Sequence, residues 1–487
     1  MSIPALVPNW INGEECPAAD GRTLDSPNPA TGETLCELAR SGAADVAAAV
    51  AAARGVQPAW AETNPVARGD LLREAALLMR SRREEIAGIV SLETGKSRKD
   101  ALGETGAAVE MGMFVAGEGR RLYGRTTTSA VPHRMALVAR QPIGVAGLII
   151  AANTPVANVA WKAYPALLCG NTAVMKASED TPATAWAVAK LFAEAGIPPG
   201  VFNVVQGLGP EAGAPIVEHT DVDIVSFTGS CGVGREIQAT AGRRLAKVCL
   251  ELGGKNPLVV CDDADLDRAV EVAALCAYSN AGQRCASGSR LIVFDAVYDE
   301  FRSRLLERTR GLRLGTGDDD DLGPVINRRQ LDTMVAAVAR AREAGATVLI
   351  GGDRMQDHAH AHGFYMQPTL IEGAAGDAEI SRAELFGPIA CLYRVAGFTE
   401  AVALANDSPF GLTAAIHTKN VDRAMTFLAR VKSGVASING PTYGSEPHMP
   451  FGGLCQSGTG WREAGTEALD VYSDWKTIYI HTDPARV

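Results

Sequence analysis

The chain has 487 residues, 47% hydrophobic and 21% charged, too long for one simple core and apolar enough to bury more than one. A formal net charge of −10 excludes a general affinity for nucleic acid or an anionic membrane, although a local basic patch would not show in that sum. The longest apolar run, near 144–152, is far short of a membrane span, and Met1-Ser2-Ile3-Pro4-Ala5 lacks the basic and apolar regions of a secretory leader, so a cytoplasmic protein is expected. Ten cysteines without a C-x-x-C pair read as reduced thiols, most of them small core residues.

Taken in chain order, Pro27-Asn28-Pro29-Ala30-Thr31-Gly32 reads as a turn cluster between short strands. From 43 to about 121 the chain is Ala-rich with helical periodicity, and 68–83 reads as one amphipathic helix. The period then changes. Strands are expected at 135–139 and 145–151 around the Pro142 turn, then a helix over 156–169 and a strand over Thr172–Lys176. A helix over 181–195, a strand over 201–206, a helix over 211–219, a strand over 223–227 and a helix over 231–241 follow. This alternation predicts the α/β class with a parallel, doubly wound sheet, and ligands bind outside the carboxyl ends of such strands. A second alternating region has a strand at 257–261, a helix over Leu266–Tyr278, a strand at 290–294 and a helix over 298–308. Beyond an acidic loop at 318–321 comes a helix near 330–344, and the pattern runs on to about Asn439. The tail, 472–481, alternates like a strand, and a terminal strand of this kind often pairs with another subunit.

Several segments can carry chemistry. In Asn280-Ala281-Gly282-Gln283-Arg284-Cys285 a cysteine follows a helix in a Gly-containing bend, and the charge of Arg284 favours its thiolate. One thiol among ten is also ordinary core filler. In Leu250-Glu251-Leu252-Gly253-Gly254-Lys255-Asn256-Pro257 a glutamate stands between leucines. Burial there raises its pKa toward the range of a general base; a capped, salt-bridged carboxylate is the plain alternative. Val225-Ser226-Phe227-Thr228-Gly229-Ser230 ends a strand and opens a helix whose N-terminus suits a phosphate, although Gly229, Gly232 and Gly234 do not form the usual dinucleotide fingerprint. Val174-Met175-Lys176-Ala177-Ser178-Glu179 places a lysine and a glutamate at another strand end, as ribose ligands or as an exposed charged turn. Glu384-Leu385-Phe386-Gly387-Pro388 reads as a loop with one buried aromatic. His358, His360 and His362 would share a face on a strand and could bind a transition metal. Their Gly/Asp-rich surroundings read instead as an exposed loop, and no functional metal is expected.

Together these segments resemble the aldehyde dehydrogenase family. The resemblance runs from Asn28-Pro29-Ala30-Thr31-Gly32 to Pro450-Phe451-Gly452-Gly453 and Tyr472-Ser473-Asp474-Trp475-Lys476, and Glu251 and Cys285 stand 34 residues apart, the family's usual spacing. It implies two doubly wound parallel-sheet domains, one for the cofactor (1–119 with 140–252) and one carrying the catalytic thiol (253–440). A small β oligomerisation element (120–139 with 465–487), serving a homodimer or homotetramer, and a substrate-tunnel and return segment (441–464) complete the expected plan. The resemblance implies that Cys285 attacks a small-molecule aldehyde. Asn153, in Ala151-Ala152-Asn153-Thr154-Pro155, then holds the oxyanion together with the Cys285 N–H, and Glu251 activates the water that frees the acid from a thioester. Lys162 and Glu463 match proton-relay positions, or else form a structural ion pair. Lys176 and Glu179 match ligands of the adenosine ribose, Gly229 and Ser230 the pyrophosphate contact, Glu384 the ligand of the nicotinamide ribose, and Phe386 a wall beside the nicotinamide. A carboxylate at Glu179 repels a 2′-phosphate, so NAD is the preferred cofactor and NADP the alternative.

For the substrate, Arg121 resembles a position that binds the distal carboxylate in some semialdehyde dehydrogenases, and Arg284 precedes the nucleophile as in relatives that use acidic aldehydes. Two arginines there would clamp a carboxylate, phosphonate or sulfonate. The alternative is that Arg120 or Arg121 faces solvent and Arg284 points away, leaving an aliphatic or aromatic aldehyde. Ala152 and Thr154 stand where many members carry aromatics, so Thr154 widens a tunnel lined by Trp161, Phe451 and the 441–448 loop with Tyr443 and His448. Three rival readings are a coenzyme A-acylating relative, a cofactor-free cysteine hydrolase and a non-catalytic relative. Glu251 argues against the first, the lack of a histidine near Cys285 in sequence against the second, and the intact Cys285, Glu251 and Asn153 against the third.

Overall fold

A computed structural model describes residues 2–486. Two seven-stranded sheets organise it. The first has the order Lys247–Glu251, Ile224–Thr228, Val145–Ile149, Thr172–Lys176, Phe202–Val205, then Asn9–Ile11 and Glu14–Cys16. The five strands from 145 to 251 are parallel, and the two N-terminal strands join antiparallel to one edge. Val145–Ile149 and Thr172–Lys176 are buried along their whole length, because helices cover both faces; this is why they read as continuous apolar runs. The chain moves outward from Val145–Ile149 to one side and then returns to the other, so the order reverses between it and Ile224–Thr228. At that switch point the loops after the two strands diverge and leave a crevice. They carry Asn153 and Gly229–Ser230.

The second sheet has the order Thr347–Ile350, Thr369–Glu372, Ile389–Val395, Gly288–Phe294, Asn256–Val260, Thr413–His417 and Val435–Ile438. All its pairs are parallel except that of the edge strand Thr347–Ile350. Only residues 252–255 separate the last strand of the first sheet from the first strand of the second. The carboxyl end of one sheet therefore faces the amino end of the other, with the active-site candidates at the junction.

A third, three-stranded sheet pairs Ser473–His481 with Arg134–Pro142 antiparallel, from Ser473↔Pro142 to His481↔Arg134, and Arg125–Thr127 lies on the far side. One expectation changes here. The strand expected at 135–139 runs to Pro142, so a domain boundary at 139/140 would cut it. The terminal strand pairs with its own chain along one edge, and its other edge has no partner strand among the described residues. The helix expected over 211–219 is a π turn, Gly209–Gly213, followed by one short α-helix, Ala214–Glu218; Pro210 and Pro215 break up the regular ladder. The helix expected over 68–83 ends at Ser81, and the next starts at Arg83.

The Ala-rich segment folds into helices that cover the first sheet. Pro65–Ser81, Arg98–Gly117 and Pro155–Leu168 share one core around Leu72, Met79, Tyr164 and Phe192. Gly112 allows the close approach of two of them, since a Cβ there would sit 2.6 Å from the Tyr164 ring.

Candidate active site

Glu251 ends its strand at the edge of the first sheet. Leu252 N–H donates to Ser457 O (2.9 Å), and Glu251 bridges Gly458, so the return segment seals this edge. The carboxylate is buried, and among the described residues neither oxygen has a hydrogen-bond partner. Burial, and next the nearby Glu463 carboxylate, push Glu251 well above the ordinary carboxylate range; Lys162 and Arg462 offset part of that. Gly452 is required beside it, because a Cβ there would stand 2.8 Å from Glu251 Oε1.

Cys285 follows the helix Leu266–Tyr278 and a turn, Ser279–Gly282, in which Asn280, Ala281 and Gly282 all have positive φ. Asn256, opening the second sheet, donates from Nδ2 to Cys285 O and Ser287 O, both at 2.8 Å, and Thr442 Oγ1 donates to Ala286 O (2.7 Å). The nucleophile loop is thus fixed by its carbonyls. Gly254 permits this, since a Cβ there would meet Cys285 O at 2.6 Å.

The thiol itself departs from expectation. Burial first, then the Glu384 and Glu251 carboxylates, push Cys285 up to about 12, and Arg284 offsets this only weakly. The contribution of Arg284 is the last among these causes, and its guanidinium lies over the Tyr443 ring, 4.8 Å from the centroid. The resting nucleophile is a neutral thiol. Without cofactor, alkylation of Cys285 by iodoacetamide is expected to rise about tenfold per pH unit between about pH 7 and about pH 9, as the small thiolate fraction grows. A plateau below about pH 8 contradicts this assignment.

Asn153 follows the strand Val145–Ile149. Its Nδ2 donates to Gln283 O at 2.9 Å, which ties it to the nucleophile loop and uses one of its two amide hydrogens. Its own carbonyl accepts from Lys96 Nζ (2.8 Å) and Asn280 Nδ2 (3.4 Å). Lys162 and Glu463 form a buried pair at 2.6 Å, with Ser226 Oγ on both partners and Tyr472 Oη on Glu463 at 3.3 Å.

The crevice at the switch point suits a dinucleotide. Lys176 is buried and paired with Glu179 at 2.6 Å. Burial raises the Glu179 carboxyl, but the Lys176 ammonium and its hydrogen bond outweigh that and leave it below its ordinary value. Ser230 caps the helix Cys231–Gly242 and is exposed at its positive end. Gly229 contributes space rather than a donor: its N–H goes to Glu251 O at 3.1 Å, and a Cβ there would overlap the Phe227 ring. Glu384 Oε1 accepts from Gly254 N at 3.0 Å; burial raises its carboxyl to about 7 against the pull of that amide and of Lys255. A Cβ on Gly253 would overlap the Glu384 carboxylate, so the Gly-Gly pair is the floor of this subsite. Phe386 sits two residues on with φ 57, a strained conformation often found at functional sites. These groups fit a nicotinamide dinucleotide: a carboxylate for each ribose and a helix N-terminus for the pyrophosphate.

On the substrate side, Trp161 and Phe451 pack edge to face at 5.5 Å, and His448 lies 6.5 Å from Phe114. Thr154 is half-buried just before the helix Pro155–Leu168. Arg121 Nε and Nη2 both donate to the buried Glu118, and the guanidinium end is half exposed, so closing it on a substrate requires breaking that pair. The histidine loop forms turns rather than a strand. His360 is held between Asp357 (2.7 Å) and Leu314 O (3.0 Å), while His358 and His362 are exposed.

Lys96, Glu104, Asn256, Gln283 and Asn280 complete the site, and sequence reasoning missed them. Glu104 carried a signal. Three residues from Ala101 and four from Ala108, it puts a carboxylate on a buried helix face.

Fold and site define a dinucleotide-dependent enzyme with a thiol nucleophile. The aldehyde dehydrogenase family model matches residues 17–478. The chain is 37% identical to the alpha-ketoglutaric semialdehyde dehydrogenase of Bacillus subtilis, covering 97% of each, and 39% identical to a mitochondrial aldehyde dehydrogenase of Leishmania tarentolae, covering 96% of this chain and 94% of that one. A point mutant of the betaine aldehyde dehydrogenase of Staphylococcus aureus, solved with NAD+ and a BME-modified cysteine, superposes with a TM-score of 0.96 at 33% identity over 98% of both chains. The chain belongs to the aldehyde dehydrogenase family. It is an NAD(P)-dependent enzyme that oxidises an aldehyde to the carboxylic acid.

Proposed function

We propose that Cys285 Sγ adds to the aldehyde carbonyl and that Asn153 Nδ2, through its second hydrogen, and the Cys285 N–H hold the resulting oxyanion. Glu251, once deprotonated, is the base for the attacking water. Bound in the cradle above, the nicotinamide supplies the acceptor for the hydride that leaves this carbon. The carbonyl re-forms as a thioester on Cys285. Water then loses a proton to Glu251 and attacks the acyl carbon, the C–S bond breaks, and the acid departs with the thiol restored. The observation that carries this reading is the buried Glu251 carboxylate with both oxygens unpartnered, beside a thiol it electrostatically perturbs. That free carboxylate favours hydrolysis over transfer to coenzyme A. Lys162 and Glu463 act on Glu251 electrostatically, and with Ser226 they form the buried polar chain assigned to take its proton.

Glu179 favours NAD over NADP, since a 2′-phosphate would meet its carboxylate. The substrate proposed is an acidic aldehyde, with Arg284 as the carboxylate partner: its Nε is buried without a hydrogen-bond partner at the Tyr443 side of the site. Two relatives, of Bacillus subtilis and Haloferax volcanii, carry alpha-ketoglutarate semialdehyde in their names. The two large sheets support a cofactor domain ending near 252 and a catalytic domain from 253. The open edge of Ser473–His481, with Trp475 and Tyr479 exposed, suits a homo-oligomer contact in a cytoplasmic enzyme. Among the described residues no helix is long and apolar enough to cross a membrane.

The test is a panel of hexanal, betaine aldehyde, succinate semialdehyde and alpha-ketoglutarate semialdehyde, each with NAD and NADP. The semialdehydes are expected to lead in kcat/KM by about tenfold or more, and Arg284→Met to remove that lead by raising KM. Equal kcat/KM for hexanal and the semialdehydes rules out the acidic-aldehyde assignment.

A further inference from the structure

Asn153 is gripped on both sides of its backbone by a buried ion pair from a different part of the fold. Lys96 lies in the turn between the helices Arg83–Thr94 and Arg98–Gly117, and Glu104 lies on the second of these. Lys96 Nζ stands 2.5 Å from Glu104 Oε2, and their side chains are only 4% and 6% exposed. The ammonium also donates to Asn153 O at 2.8 Å. The other carboxylate oxygen, Glu104 Oε1, accepts from Val156 N (3.0 Å) and Ala157 N (3.3 Å), the first free amides of the helix Pro155–Leu168. Thr154, at the helix N-cap position, offers no side-chain cap, so Glu104 takes that place from outside the helix.

A buried ion pair is weak as a stability device, because desolvating two charges offsets their attraction. This one ends on three backbone groups at or beside the single residue that must aim an amide at the oxyanion.

We propose that Lys96 and Glu104 are positioning residues for the oxyanion hole. Lys96 fixes the peptide that leaves Asn153, Glu104 fixes the start of the helix two residues on, and Gln283 O takes one amide hydrogen. The direction of the second hydrogen then follows from the backbone, with no free rotation left. The two charges are of opposite sign and in contact, so their combined field at the oxyanion is small and their action is geometric. A geometric role lowers the rate of the chemical step and leaves cofactor affinity alone, because the pair touches none of Lys176, Glu179, Ser230 or Glu384 through a hydrogen bond. The inference rests on Asn153 being the oxyanion donor.

A double-mutant cycle in the full chain decides it, with Lys96→Met and Asn153→Ala measured singly and together, using NAD and the best aldehyde of the panel. Asn153→Ala is expected to lower kcat about 10²-fold or more. Lys96→Met is expected to lower kcat about tenfold or more in the native background, to change the KM for NAD by less than about twofold, and to add less than about twofold once Asn153 is alanine. Lys96→Arg, which keeps a donor, is expected to recover most of the loss. If Lys96→Met fails to fold, the pair Lys96→Met/Glu104→Gln takes its place. It removes both charges and keeps an oxygen for the Val156 amide. Full activity in Asn153→Ala overturns the oxyanion assignment and this inference with it. An inactive Asn153→Ala with losses that simply multiply, or a KM for NAD that rises as far as kcat falls, overturns the inference alone.

Discussion

Cys285→Ala is expected to lose NAD-dependent aldehyde oxidation by about 10⁴-fold or more, with the fold and NAD binding intact. Without a nucleophile no tetrahedral adduct forms, and the hydride has no activated carbon to leave. Nine other cysteines cannot substitute. Cys36, Cys169, Cys249, Cys261, Cys276 and Cys391 are buried, and Cys16, Cys231 and Cys455 lie on other elements, none of them on the loop tied down by Asn256 and Asn153. Alanine is smaller than cysteine and the loop is held through its carbonyls, so the substitution leaves those ties in place. Retention of native kcat by this variant contradicts the mechanism outright.

The second large effect separates the two halves of the reaction. Glu251→Gln is expected to keep acylating, because removing the carboxylate also removes one of the charges that raise the Cys285 thiol, and to hydrolyse the thioester about 10³-fold more slowly than the native enzyme. The kinetic form is a burst of close to one NADH per active site, then a slow steady state. The native pH profile follows from the direction of the Glu251 shift. Its pKa lies well above the usual carboxylate value, so the base is protonated and idle at low pH. The deacylation rate therefore rises with pH through that raised value and levels off above it. In Glu251→Gln the limb disappears. A variant that keeps both the limb and the native steady state assigns the base elsewhere, with Glu384, held near 7, as the first candidate. Addition of coenzyme A distinguishes the acylating alternative, in which a thiol and not water restores turnover.

Much of this site was legible in the chain because its parts sit at strand ends, where a parallel sheet must bring loops together. Lys176 and Glu251 end short apolar strands, Asn153 and Ser230 follow two others, and the structure assembles all four at the carboxyl end of one sheet. Other features depend on contacts between residues far apart in sequence. Lys96 reaches Asn153 across 57 positions, and Asn256 reaches Cys285 across 29. Neither has a local pattern beyond a charge or amide on a buried face. The overweighting of Arg284 has the same origin. Adjacency in sequence suggested that its charge serves Cys285; it acts in that direction, but its side chain stacks on Tyr443, and burial, then two distant carboxylates, Glu384 and Glu251, outweigh it. Likewise 134–142 is one strand that ends on a proline, because Pro142 occupies its last position, where no further ladder donor is needed. Gly229 was read as a phosphate contact from its place in a loop; its amide is already taken by Glu251 O, and the need for glycine comes from the Phe227 ring.

The covalent intermediate is the centre of the account, and Glu251→Gln makes it observable. The enzyme is mixed with NAD and the best aldehyde of the panel, quenched in acid after the burst, digested and mapped by mass spectrometry. The account predicts one acyl group, equal in mass to the product acid less water, on the peptide that contains Cys285 and on no other cysteine. A burst of NADH with Cys285 unmodified, or with the acyl group on another residue, contradicts it.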